Sequence, residues 1–246
     1  MLAGLVLAAA AAGTSCWNVY DAALGHSAQA ARPPYVTYVE QISIQYGDPS
    51  TAQALKPSTY AGSARVQYRG DGLARVEDER FGNEPIVTSV LDPGPPELGP
   101  YGDRQSIWEG VHYVLPLISS VRAKSSVTCT LSAGLYQGRQ VYHLEFRGAS
   151  PKIPHLDDLW VDAQSNDIWK VALEAPLSFN FGYVPSVDPV HFEVDLGYEG
   201  RYLVVQHVRS EVRVPTHGQL MHVVAQYAYG EYAFPAQLPQ KVFESP

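Results

Sequence analysis

The chain has 246 residues, 25 of them acidic and 17 basic, for a formal net charge of −8. Only 17% of it is charged, and it carries 20 Gly, 19 Pro and 16 Tyr. An ordinary soluble domain is roughly 25% charged, so this composition excludes disorder, coiled coil and long-helix bundle, and fits strands joined by turns. The acidic balance offers no footprint for nucleic acid or for anionic lipid headgroups through charge.

Residues 2–13 form an uncharged run, long enough for the apolar core of an export signal and too short to cross a bilayer as a helix. A buried Ala-rich helix is the alternative reading. The run has no Lys or Arg ahead of it, so either the start codon lies elsewhere or the signal is atypical. It ends in Gly13-Thr14-Ser15-Cys16, which resembles the lipobox of bacterial lipoproteins, with Gly13 where an aliphatic residue is usual. The expected division is a signal peptide at 1–15 and one domain at 16–246, with Cys16 the candidate lipidation site and membrane anchor. Ala28-Gln29-Ala30 offers a competing cleavage site. Cys129, in a β-rich run, reads as a buried thiol; a Cys16–Cys129 disulfide is open only where Cys16 escapes lipidation.

The spacing predicts a short helix over 17–31, with Tyr20, Leu24, Ala28 and Ala31 on one face, stopped by Arg32-Pro33-Pro34. Residues 35–46 alternate, placing Val36, Tyr38, Ile42, Ile44 and Tyr46 opposite Thr37, Gln41, Ser43 and Gln45. Residues 47–62 read as a loop, and short strands follow at 64–68 and 73–79 around Gly70-Asp71-Gly72, a strong hairpin signal, and then at 85–91. The Pro-rich stretch 92–100 breaks regular structure, and helical spacing returns over 104–115. Strands are then predicted at 127–131, 140–146, 158–162, 168–174, 190–198, 201–214 and 220–229, most joined by turns bearing Gly, Asn or Asp. The fold class is mainly β (α+β): about eleven strands, arranged most economically as an antiparallel meander that must twist, curl or close.

The catalytic constellations are weak. There is no zinc motif of the His-Glu-x-x-His type, no Gly-x-Ser-x-Gly elbow, no phosphate-binding loop and no dinucleotide turn. Thus no catalytic residue, no cofactor and no metal are expected. His155, Asp157, Asp158 and Asp162 were the best metal candidates, but they suit a solvated or packed strand end better. Residues 162–167 read as a hairpin turn rather than a calcium loop, since position twelve is Leu173. Glu193 and Asp195 share a strand face with His191, and that face is expected to meet solvent.

The order of elements, with Val141-Tyr142-His143-Leu144-Glu145-Phe146, Leu159-Trp160-Val161-Asp162, Ile168-Trp169-Lys170-Val171 and the closing Tyr227-Ala228-Tyr229-Gly230-Glu231-Tyr232, resembles periplasmic lipoprotein carriers and outer-membrane lipoprotein-sorting proteins of the Lol type. The resemblance implies a strongly curved, incomplete half-barrel with helices over its concave face and an apolar cavity for acyl chains. It implies a non-enzymatic envelope protein, in the periplasm or at the outer membrane, whose partner is a lipid or an acylated protein. No ligand-contacting residue carries over. The alternative is an envelope interaction or scaffold module whose core is filled.

Overall fold

A computed structural model describes residues 14–31, 33–47, 58–69, 73–92, 121, 126–149, 155–175, 180–181, 184–185, 190–216 and 219–244. The predicted helix over 104–115 and most of the Pro-rich stretch lie outside them. One helix, α1 (Cys16–Ser27), is followed by β1 (Tyr35–Gly47), β2 (Ser58–Arg69), β3 (Ala74–Phe81) and β4 (Glu84–Asp92). Next come β5 (Thr128–Tyr136), β6 (Arg139–Arg147), β7 (His155–Asp162), β8 (Ile168–Ala175), the two-residue strands β9 (Asn180–Phe181) and β10 (Val184–Pro185), β11 (Val190–Glu199), β12 (Tyr202–Thr216) and β13 (Gln219–Ala233). A short 3₁₀ turn, Gln240–Phe243, closes the described chain.

All eleven predicted strands form, and they make a single antiparallel sheet in the order β4-β3-β2-β1-β13-β12-β11-β8-β7-β6-β5, open at β4 and β5. The expectation of a plain meander needs correction. The sheet contains two meanders joined where the first strand pairs with the last, Ile42 opposite Tyr227 and Ile44 opposite Ala225. The connection from β4 to β5 therefore links opposite edges of the sheet. Local turn signals cannot encode a pairing between residues this far apart in sequence.

Turn chemistry explains the hairpins. Gln137 and Gly138 both adopt positive φ (50° and 79°) between β5 and β6, the backbone a two-residue hairpin turn requires. Across residues 162–167, the Asp162 carboxylate accepts from the backbone N–H of Gln164 (2.8 Å) and Ser165 (3.0 Å), while Trp169 Nε1 donates to its other oxygen at 3.3 Å. This is a hairpin turn, as the sequence suggests.

α1 begins at Cys16 because Ser15 caps it, Oγ accepting from the Asn18 N–H at 3.2 Å. It ends at Ser27, four residues before the predicted stop, and Ala31 instead bridges to Tyr202 of β12. Its buried stripe is Cys16, Val19, Tyr20, Ala23 and Ser27, so the buried face is turned from the one expected: Leu24 is half-buried and Ala28 is exposed. That stripe packs on the inner face of the sheet. Tyr20 and Trp17 meet Phe146, with ring centroids 5.8 and 6.1 Å apart. Leu144, Leu156, Leu159, Val161, Ile168, Val171 and Leu196 continue the same cluster across β6, β7, β8 and β11. At the far end of the helix His26 meets Asp167 in the β7–β8 turn at 2.8 Å, and its ring faces Tyr198 of β11.

A flat sheet with ten inter-strand gaps would be about 48 Å wide, against about 18 Å of helix length. Among the described residues α1 is the one α-helix, and it spans only part of that width; a twisted sheet of this many strands tends to curl.

The structure also corrects the reading of Cys129 as a thiol. Its sulfur is bonded to that of Cys16, with the Cα atoms 5.8 Å apart. The bond ties the first residue of α1 to edge strand β5, and it engages the sulfur through which Cys16 would be lipidated. Sequence alone could not establish this pairing, because only the packing of α1 across β5 and β6 brings the two residues together.

Candidate functional site

Two surfaces have binding character. The first is the inner face. Along β1, Val36 and Tyr38 are buried in the same apolar cluster as the stripe of α1, whereas Ile42 and Ile44, further along the same face, are only half-buried. Their cross-strand neighbours continue the pattern: Tyr227 lies opposite Ile42, Val208 lies opposite Tyr227, and both are half-buried. The inner face is thus largely apolar, with Glu40 and Ser210 the buried polar residues on β1 and β12, filled by side chains in the cluster that α1 joins, and partly accessible on β1, β13 and β12. Near the junction Tyr38 meets Tyr229 and Tyr232, with centroids 6.0 and 5.7 Å apart. Burial first, then the charge of Glu40, pushes the Tyr229 phenol well above its ordinary value.

The second surface is a trough on the opposite, outer face. Two cross-strand rows floor it over five adjacent strands: Ser63, Gln41, Ala228, His207 and Asp195 in one, and Ala61, Ser43, Gln226, Arg209 and Glu193 in the other. Together with Gly62, Ile42, Tyr227 and Val208 from the row between them, they line a cavity of about 620 Å³. The face holding His191, Glu193 and Asp195, expected simply to meet solvent, therefore contributes part of this hollow. No local signal could have revealed it, because the rows exist only once five strands are in register.

Beyond the trough, the first row continues from Asp195 to Lys170, Trp160, His143 and Ser132. His143 stacks on Trp160 with centroids 4.4 Å apart, and Lys170 lies 5.1 Å from the Trp160 ring centre. The Arg139 guanidinium sits 4.1 Å over Trp169. Tyr136 donates to Asp195 at 2.7 Å, and its phenol is raised well above the usual range by burial, then by this bond and the Asp195 charge.

The carboxylates are held by such contacts. Glu193 pairs with Lys170 at 3.0 Å and Arg209 at 4.0 Å. Glu211 pairs with Arg209 at 2.5 Å and His222 at 2.7 Å. Burial pushes the Glu211 pKa up, but those two partners outweigh it and hold the carboxyl below its ordinary value. This is a charge ladder suited to holding strands in register, not an opposed acid and base poised over a substrate.

Asp158, Trp160 and Asp162 do share one side of β7, as alternation predicts. Asp158 bonds His143 at 2.9 Å, and Asp162 is committed to its turn. His155 and Asp157 meet each other at 3.5 Å instead.

No family model matches the chain, and no curated protein matches it. Among solved structures it is similar to a DUF1329 family protein from Desulfovibrio piger, with 10% identity, a TM-score of 0.39, and 93% of this chain and 97% of that one covered. It is similar to lipovitellin, described for its lipid–protein interactions, at 10% identity and a TM-score of 0.38, with 85% of this chain covering 26% of that one. MucB in its complex with MucA from Pseudomonas aeruginosa follows at 11% identity and a TM-score of 0.27, covering 89% and 95%. Likenesses at this level leave function to be argued from the chain's own residues.

Proposed function

We propose that this protein is a non-enzymatic binding module of the cell envelope, exported through residues 1–15, whose domain at 16–246 takes up lipid or the acyl chains of a lipoprotein on the inner face of its open sheet. The observation that carries the reading is the apolar continuation of that face past α1, where Ile42, Ile44, Val208 and Tyr227 are half-buried rather than packed away. Acyl chains need such a wall, since each buried CH₂ contributes about 0.8 kcal/mol. The Lol-type resemblance agrees with a curved sheet in this role. The Cys16–Cys129 bond supports an oxidising compartment, because such bonds persist outside the cytosol.

Protein purified from its native envelope should release lipid on extraction and appear lipid-loaded in native mass spectrometry. It should also take up a fluorescent fatty acid. Ile42→Glu, which places a charge on the inner face, should abolish uptake, while Thr130→Glu on the outer face should not. Protein repeatedly free of lipid and unable to take up the fatty acid would reject the reading.

A second reading is an envelope interaction module with a filled core. The full burial of Leu144, Leu159, Val161 and Val171 in the cluster that α1 joins favours it, each with 0% exposure. Under this reading the outer-face trough, not the inner face, would meet the partner.

A further inference from the structure

On the outer face, at the ends of β7, β8 and β11 away from the β7–β8 turn, four side chains converge from three strands. His155 lies opposite Glu174, and Glu174 lies opposite His191, forming one cross-strand row. The register shift between Leu156 and Asp158 marks a bulge at Asp157, the kind of irregularity that re-aims a side chain. As a result the Asp157 carboxylate joins the row: His155 Nε2 is 3.5 Å from Asp157 Oδ1 and 3.9 Å from Glu174 Oε1, and His191 Nδ1 is 3.4 Å from Glu174 Oε2. Ligand atoms of Asp157, Glu174 and His191 all lie within 4.8 Å of one another.

We propose that His155, Asp157, Glu174 and His191 form a binding site for a divalent transition-metal ion of the zinc type. Zinc takes imidazole nitrogen and carboxylate oxygen at about 2.0–2.2 Å in tetrahedral sites, which sets neighbouring ligand atoms about 3.4 Å apart. The separations between His155 and Asp157 and between His191 and Glu174 match that edge, and side-chain rotation has to bring these two pairs onto one centre. Charge agrees: two carboxylates and two neutral imidazoles sum to −2, the complement of the ion. Among the described residues, the ion-pair partners of these two carboxylates are the two histidines themselves. Arg147 donates to the backbone oxygen of Asp157 at 3.2 Å, and its charge acts on the Asp157 carboxylate as well.

The other histidine–carboxylate cluster, His143, Glu145 and Asp158, provides the contrast. Arg147 stands 3.5 Å from Glu145 and 3.8 Å from Asp158, so a guanidinium already occupies the electrostatic role of a cation there. Four protein ligands would close the coordination sphere at the proposed site, making it a structural clamp over β7, β8 and β11 rather than a catalytic centre with an open position.

Purified full-length protein, stripped with chelator and dialysed against Zn²⁺, should retain one equivalent by elemental analysis and show a raised Tm. With Co²⁺ it should develop the intense visible absorption of tetrahedral cobalt. Glu174→Gln and His191→Ala should each weaken Zn²⁺ binding at least tenfold by titration calorimetry, and His143→Ala should leave it unchanged. His191 is 60% exposed, so its removal leaves the fold intact, as circular dichroism would verify. Failure to retain stoichiometric Zn²⁺, equal retention by the Glu174 and His191 variants, or an octahedral cobalt spectrum would each overturn the assignment.

Discussion

Replacing Cys129 with Ala removes the only cross-link between α1 and edge strand β5 among the described residues, and the size of the effect follows from the loop it closes. Cys16 and Cys129 are 113 positions apart. Cross-linking a loop of that length removes about 4.8 kcal/mol of chain entropy from the unfolded state in the entropic model, and native bridges typically deliver 2–4 kcal/mol. Taking about 3 kcal/mol, and about 2–4 °C per kcal/mol for a chain of this size, Tm should fall by about 6–12 °C. The assay is urea and thermal unfolding of the parent and of Cys129→Ala, each with and without reductant. Reductant should lower the parent to the level of the variant and leave the variant unmoved. Alkylation of the denatured, unreduced parent should add no label, and two labels should appear after reduction. A loss below about 1 kcal/mol, free thiols in the parent, or a triacyl adduct on Cys16 in the intact mass would refute the reasoning, because an acylated Cys16 cannot also bridge to Cys129.

Phe146, 1% exposed between Trp17 and Tyr20, joins helix to sheet, so Phe146→Ala should cost about 3–5 kcal/mol in denaturant unfolding. Asp162→Ala should cost about 1–2 kcal/mol at neutral pH through its turn. Burial pushes the Asp162 pKa up, but hydrogen bonds from Ser165, Gln164 and Trp169 outweigh it and leave the carboxyl below its ordinary 3.8. Its folded-state pKa being depressed, that contribution is complete above the unfolded pKa and is lost as pH falls through the folded one; the gap between parent and variant should narrow in acid. Gly148 has φ of 92°, and a Cβ there would stand 2.5 Å from the Ser126 backbone oxygen. Gly148→Ala should therefore destabilise by about 1–3 kcal/mol in the same unfolding assay.

Period-two alternation and turn chemistry are local, and for that reason the long strands could largely be read from the sequence: Val36, Tyr38 and Ile42 against Gln41 and Ser43 define a face before any neighbour is known. The start of β2 could not, since it begins at Ser58 inside the stretch 47–62 that reads as a loop, drawn into the sheet by pairing with β1. The residues at 137–138 and 162–167 likewise specify their turns through their own backbones. The helix was legible, but its buried stripe was not. Tyr20 and Ala23 turn inward because Phe146 and the β6–β8 face lie beneath them, and nothing within the helix states where that face will be. Strand order belongs to tertiary structure for the same reason: pairing β1 with β13 rewards contacts between distant segments only after the loop entropy between them has been overcome. Everything with candidate function depends on that order. The bond from Cys16 to Cys129, the ten-residue floor of the trough, and the meeting of His155, Asp157, Glu174 and His191 each join residues from separate strands or from helix and strand. The sequence alone determined which residues lie on which face of each strand; the fold decided which strands stand side by side, and so which chemical groups meet.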